Sequence, residues 1–351
     1  MNRPRTPPPY QPRPVRCATR VLAGLLALTL TLAGCTGAHD TAAPETSATS
    51  STARPPRTIE LPGNSWPGQL AMAPDGTLWV AESSLGFLAS ISPSGRVTQH
   101  RLTDPLHAPS LDPSHLTIAS DGSVWFSCPL DIGRITPDGK VSLFHDLPMV
   151  YGSPDAITAG SDGSVWYGAT TADGWQLVHI TAKLSASHIS LPLHQFGPHI
   201  TGLAFGPGER LWFTSSPIGN ERGKVGYADA HGHTRIWPTD DPFVGRIVPG
   251  PDGALWFGER VAIGRITPSG SISYHRAPRM KYLGGLVSGP GDALWFTTST
   301  SVGRITMAGT ITLWPVPGAR ELTDLVYDAH RHGFWVADAE AAVLRWVPLP
   351  S

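Results

Sequence analysis

The sequence predicts an all-β protein, a single seven-bladed β-propeller with four-stranded blades, and three observations carry that prediction. A tryptophan-centred unit recurs at Trp79, Trp125, Trp166, Trp212, Trp256, Trp295 and Trp335, with successive anchors 46, 41, 46, 44, 39 and 40 residues apart. A period near forty with four strands per unit is the signature of propeller blades. Each unit alternates short apolar runs with Gly-containing turns, as an antiparallel meander requires. The chain also has one orphan strand before the first unit and is one strand short after the last tryptophan, so its two ends complete a single blade.

Taken in order, the chain opens on a basic stretch with Arg3, Arg5, Arg13, Arg16 and Arg20 and no acid before residue 21. Residues 21–32 form an uncharged, mostly apolar run, too short to span a bilayer and suited to the apolar region of a signal peptide. It ends in Leu32-Ala33-Gly34-Cys35, which resembles the bacterial lipobox. We therefore expect residues 1–35 to be a lipoprotein signal and Cys35 to be lipidated, exported without a twin-arginine signal, since no Arg-Arg pair is present. Residues 36–56 are rich in Ala, Thr, Ser and Pro and lack aromatics, so they cannot offset the entropy of ordering and read as a tether. The expected location is extracytoplasmic, with the membrane reached through the lipid anchor alone. The propeller is expected over 57–351, as a monomer.

Within the repeats, the first turn of each unit is built on triplets such as Pro74-Asp75-Gly76, Ser120-Asp121-Gly122 and Pro251-Asp252-Gly253. Aspartate supplies a side-chain hydrogen bond to the turn and glycine supplies the positive φ. A later Gly-Arg-Ile segment places Arg134, Arg265 and Arg304 where they cover sheet edges or pair with turn carboxylates. The strand at 57–62 is expected to pair with the strand at 342–347 and close the ring, removing both open edges. The charge is balanced, with 26 Lys+Arg against 27 Asp+Glu and a net charge of −1, so a nucleic-acid partner is not suggested. Of three cysteines, Cys17 and Cys35 fall in the leader, so Cys128 is a lone thiol in the body.

In a four-stranded blade both Asp/Gly turns share one rim. Axial groups are then expected from two positions per blade, eleven residues before the tryptophan and three after it. The first set reads Gly68, Ser114, Asp155, Thr201, Gly245, Gly284 and Asp324; the second reads Glu82, Cys128, Ala169, Ser215, Glu259, Thr298 and Asp338.

The formula Asp-Gly-Ala-Leu-Trp-Phe-x-Glu at 252–259, followed by Ile-Gly-Arg-Ile-Thr-Pro-x-Gly at 263–270, resembles the virginiamycin B lyase (streptogramin B lyase) family, with a likeness covering 57–350. That resemblance implies a propeller whose lyase members open a cyclic depsipeptide antibiotic by elimination. A histidine takes the proton next to the ester, and carboxylates hold a magnesium ion that polarises the carbonyl. It places the base eleven residues before a blade's tryptophan, one metal carboxylate two residues earlier, and another three after the tryptophan. Glu259 matches the last position, but Gly245 and Phe243 stand at the other two. Glu82 is similarly placed, with Gly68 and Trp66 in its blade. His115 and His199 miss the base position by one and two residues. The chain is accordingly expected to be a diverged member without the intact lyase constellation.

The candidates are Glu259, His115 and His199 as catalytic groups, and Asp324, Asp338 and Glu82 as ligands for Mg²⁺ or Ca²⁺. Against the metal stands neutralisation of the carboxylates by Arg320 or Arg246. Cys128 near His115 suggests a thiol nucleophile, against the commoner reading of a buried thiol as a small hydrophobe. The basic run at 276–282 could meet an anionic or sugar-like ligand, with a solvated connection as the default. Three functions remain open: a ligand- or protein-binding envelope lipoprotein, which is favoured; a metal-assisted lyase with a rearranged site; and a structural platform for surface proteins.

Overall fold

The computed structural model describes residues 58–62, 65–83, 86–102, 112–129, 131–144, 154, 156–171, 174–193, 199–217, 221–277, 280 and 282–350. The expected signal, lipidation site and tether lie outside the described residues, as does Asp155. The strands form seven separate four-stranded antiparallel sheets, the blades of a β-propeller. Blades 1 to 6 span 66–101, 115–144, 157–190, 199–238, 244–275 and 286–315, and blade 7 spans 322–348 plus Thr58–Glu60.

In blades 1 to 6 the four strands are consecutive, innermost first. Blade 7 takes Thr58–Glu60 as its outer strand, paired antiparallel to Val343–Pro348 in the register Thr58↔Arg345, Ile59↔Leu344 and Glu60↔Val343. The two ends of the chain thus share one sheet. Ile59 and Leu61 are buried with Leu344, Ala337 and Leu70, so the closing strand also seals the seam between blades 7 and 1.

The repeat formula follows from packing between neighbouring strands. The phenylalanine after the tryptophan lays its ring on the glycine of the Gly-Arg-Ile segment. A Cβ on Gly133 would stand 2.1 Å from the Phe126 ring, and one on Gly264 2.2 Å from Phe257. Only glycine fits there. The arginine beside it pairs with the turn carboxylate: Arg134 Nη2 lies 2.6 Å from Asp121 Oδ2, and Arg265 Nε lies 2.7 Å from Asp252 Oδ2. Both guanidiniums also lie over the blade tryptophan, at 5.3 Å from Trp125 and 5.8 Å from Trp256. The core is the row of interfaces between blades, where these tryptophans and phenylalanines meet aliphatic strands of the neighbour.

Candidate functional site

The axial face is set by the innermost strands, and their register corrects the alignment expected from the sequence. In blade 1 Ala71 faces Trp79 across eight residues of chain, whereas in blade 7 Val326 faces Trp335 across nine. The seventh turn holds one residue more, the substituted Ala329-His330-Arg331-His332 segment tied to Asp328 Oδ1 by the His330 and Arg331 amides. Asp324 is therefore level with Arg246, not with Gly245. The matching positions are Gln69, His115, Ala156, Gly202 and Gly285, each opposite or beside the second residue after its tryptophan.

These residues meet across the ring. Arg246 grips Asp324 with both terminal nitrogens, Nη1 to Oδ1 at 3.0 Å and Nη2 to Oδ2 at 3.1 Å. Leu70 N donates to the same Oδ2 at 2.9 Å. The pair joins blade 5 to blade 7 past blade 6, which yields space with glycine: a Cβ on Gly285 would sit 2.2 Å from Asp324 Oδ1. Gln69 Oε1 accepts from Leu116 N at 2.7 Å. His115 stands in this ring, with Nδ1 3.2 Å from Ser114 Oγ. Burial first, and then the positive charge of Arg246, push its pKa down to about 4, so its imidazole is neutral and a weak base at neutral pH. The near miss in the sequence thus enters the ring but in a form poorly suited to abstracting a proton.

The carboxylates after the tryptophans hold the crossovers between blades. Glu259 Oε1 accepts from Asp240 N and Asp241 N, both at 3.2 Å, on the connection entering blade 5. Asp338 accepts from Arg320 N at 3.1 Å, Glu321 N at 3.0 Å and Arg345 Nε at 2.7 Å on the connection entering blade 7. Burial alone would raise the Asp338 pKa, but these donors outweigh it and hold the group low. Glu82 accepts from Gln99 Nε2 at 2.7 Å through Oε2, while Oε1 is buried without a partner. Burial raises Glu82 to about 7 against the lowering effect of Gln99. Glu259 also reaches about 7, raised by burial and the charges of Asp241 and Asp240 and opposed by their backbone amides.

Asp324, Asp338 and Glu82 do not come together as a ligand set. Each has its own partner, and among the described residues no three His, Cys, Asp or Glu side chains gather as a metal would need. Arg246 neutralises Asp324, and Arg345 rather than the Arg320 side chain neutralises Asp338. The corrected register places Glu321 and Asp338 of blade 7 at the two carboxylate positions the resemblance implies, with Thr323 where a histidine would act. Asp338 accepts three donors there, the Arg345 guanidinium among them, and these residues do not fit a magnesium ion. Cys128 is fully buried, and burial together with Asp131 and Asp112 raises its thiol well above the usual range, which leaves it a core residue.

One feature of this face was missed in the sequence. Among the described residues, the large apolar side chains that stand exposed are Trp66 at 46 %, Phe243 at 60 % and Tyr282 at 44 %, and each lies thirteen residues before its blade tryptophan. His199 holds that position in blade 4, paired opposite Ser216, with an edge contact to Trp175 at 6.2 Å. In blade 7, whose turn is one residue longer, Glu321 takes the equivalent place, and its charge, after burial, raises the Tyr282 hydroxyl pKa. Arg260 lies 5.3 Å over Phe243. Of the basic run, Arg276 sits over Tyr274 at 5.6 Å and 3.8 Å from Asp240; Arg279 and Lys281 lie outside the described residues. The signal was available as a shared offset, but one that becomes an aromatic crown only when the blades are arranged in a ring.

Seven four-stranded blades around a polar axial ring define a β-propeller. Residues 57–215 and 132–345 match the virginiamycin B lyase family, and the chain belongs to it. Virginiamycin B lyase from Staphylococcus aureus superposes with a TM-score of 0.73 at 26 % identity, covering 84 % of this chain and 98 % of that one. A catalytically inactive form of that enzyme with quinupristin gives 0.71 at 26 % identity, over 84 % and 98 % of the two chains. The extracellular domain of a putative one-component system from B. thetaiotaomicron shares the fold alone, at 14 % identity and a TM-score of 0.64 over 84 % of this chain and 42 % of that one. None of the curated proteins matches.

Proposed function

We propose that the protein is a ligand-binding envelope lipoprotein, anchored through Cys35, whose axial face holds its ligand without lyase chemistry. The observation that carries this reading is the crown of Trp66, Phe243 and Tyr282 at one repeat position around a polar centre. Exposed aromatics are recognition anchors, because they bury large area at low side-chain entropy cost. The centre itself is tied up: Arg246 and Asp324 satisfy each other, and His115 is a weak base. The ligand this face fits is amphipathic, with apolar or aromatic groups around a polar core, the chemistry of a cyclic depsipeptide.

Quinupristin is the first probe. Titration calorimetry is expected to give saturable binding that Phe243→Ala or Trp66→Ala weakens about tenfold, one aromatic anchor being worth roughly 1–2 kcal/mol. Mass spectrometry of the incubated mixture with magnesium is expected to return the ligand intact. Linearised product at an enzymatic rate would overturn the non-catalytic reading. Binding that ignores both aromatic substitutions would overturn the axial one.

A further inference from the structure

On the opposite rim, the residue paired with each blade tryptophan forms a second repeat-wide series. It reads Ser90, Arg134, His179, Tyr227, Arg265, Arg304 and Trp346 in blades 1 to 7. Six of the seven are large, and five of them contact the indole: His179 stacks on Trp166 at 4.3 Å, Trp346 meets Trp335 at 5.2 Å, Tyr227 lies 5.0 Å from Trp212, and Arg134 and Arg265 lie over Trp125 and Trp256. Blade 1 alone has a small residue there. In blades 2 and 5 the covering group is a guanidinium held between the indole and the Oδ2 of the turn aspartate, while Oδ1 accepts from the turn amide.

Blade 1 keeps every part of that sandwich except its filling. Trp79 is the indole, and Asp75 stands four residues before it, as Asp121 and Asp252 stand before Trp125 and Trp256. Asp75 Oδ1 accepts from Thr77 N at 2.9 Å, and its Oδ2 has no partner among the described residues. His100 backs the indole at 4.9 Å, as His275 backs Trp256 at 5.3 Å. Ser90 Oγ lies 2.9 Å from His100 Nε2 and leaves the arginine's place open. The result is a cleft of about 580 Å³ between blades 1 and 2, lined by Asp75, Trp79, Ser90, His100 and Asp121. Burial lowers the His100 pKa, so that ring brings no competing charge at neutral pH. Arg96 stands at the cleft but, among the described residues, makes neither an ion pair nor a stack on Trp79.

We propose that this cleft binds a guanidinium group supplied from outside the chain, seated on Trp79 against Asp75 as Arg134 and Arg265 are seated in their own blades. The site is separate from the axial face and does not depend on the reading given for it. Stacking on indole and a charge-assisted bond to carboxylate both favour a planar cation over an ammonium or a neutral sugar.

The test follows the Trp79 indole N–H by NMR in the intact propeller, assigned with Trp79→Phe, during titration with agmatine, butylamine and glucose. Agmatine is expected to shift the resonance saturably in the millimolar range, butylamine more weakly, and glucose not at all. Asp75→Asn is expected to weaken agmatine about fivefold, of the order of one charge-assisted contact at a partly exposed site. Ser90→Arg is expected to fill the cleft from within, abolishing the shift and raising the melting temperature. An arginine-containing peptide binding much tighter than agmatine would assign the guanidinium to a protein partner; equal affinity would assign it to a small guanidino compound. No saturable shift with agmatine, an unaltered titration in Asp75→Asn, or a response to glucose at least as strong overturns the proposal.

Discussion

Arg246→Ala tests the strut that crosses the axial ring. Asp324 has 5 % of its side chain exposed and Arg246 23 %, so the pair is shielded at one end and wetted at the other. Breaking a buried pair by removing one partner costs about 3–5 kcal/mol, because a charge is left without compensation. Here the wetted guanidinium and the surviving Leu70 N–H bond reduce that to about 2–3 kcal/mol. At roughly 2 °C per kcal/mol for a domain of this size, the melting temperature should fall by about 5 °C. Asp324→Asn keeps the size and removes the charge, and the double variant Arg246→Ala/Asp324→Asn completes a cycle. Urea unfolding of the four proteins is expected to give a coupling energy above about 1 kcal/mol. A coupling within about 0.3 kcal/mol of zero would refute the strut, and with it the physical basis for calling the axial centre self-satisfied.

Glu82 should make stability fall as pH rises. Its folded pKa of about 7 exceeds the usual 4.5, so between those values the unfolded chain releases a proton that the fold retains. The penalty develops from about pH 4.5 and is complete above pH 7; Glu82→Gln should therefore gain about 1–3 kcal/mol relative to wild type at pH 8 over pH 4.5, and an unchanged difference would contradict it. Deleting residues 58–62 removes Ile59 and Leu61, each worth about 1.5–3 kcal/mol when buried, and opens the Val343–Pro348 edge. Calorimetry should show a markedly lower melting temperature with aggregation, and unchanged unfolding would remove the closing strand from the stability argument. Cys35→Ala should move the protein out of the membrane fraction, since the remaining chain offers no other proposed anchor; full retention would reject lipidation.

The repeat itself determined the architecture. Tryptophans at a period near forty, Asp-Gly turns and an orphan strand at 57–62 sufficed for seven closed blades, because strand periodicity and turn chemistry are local and ring closure follows from the strand count. Pairing with turn carboxylates was one of two readings open for Arg134, Arg265 and Arg304; the first two make that contact within one hairpin, and Arg304 donates to the Gly291 carbonyl instead. The axial centre was not. One added residue in the turn after Asp328 shifts Asp324 into line with Arg246, and counting back from Trp335 hides that shift because sequence distance does not report register. Likewise, the offset shared by Trp66, Phe243 and Tyr282 is visible in the chain, but their common exposure comes from closing seven blades around one axis. The arginine–aspartate bridge from blade 5 to blade 7 depends on Gly285 leaving room between them, a fact of three-dimensional packing that no local pattern encodes.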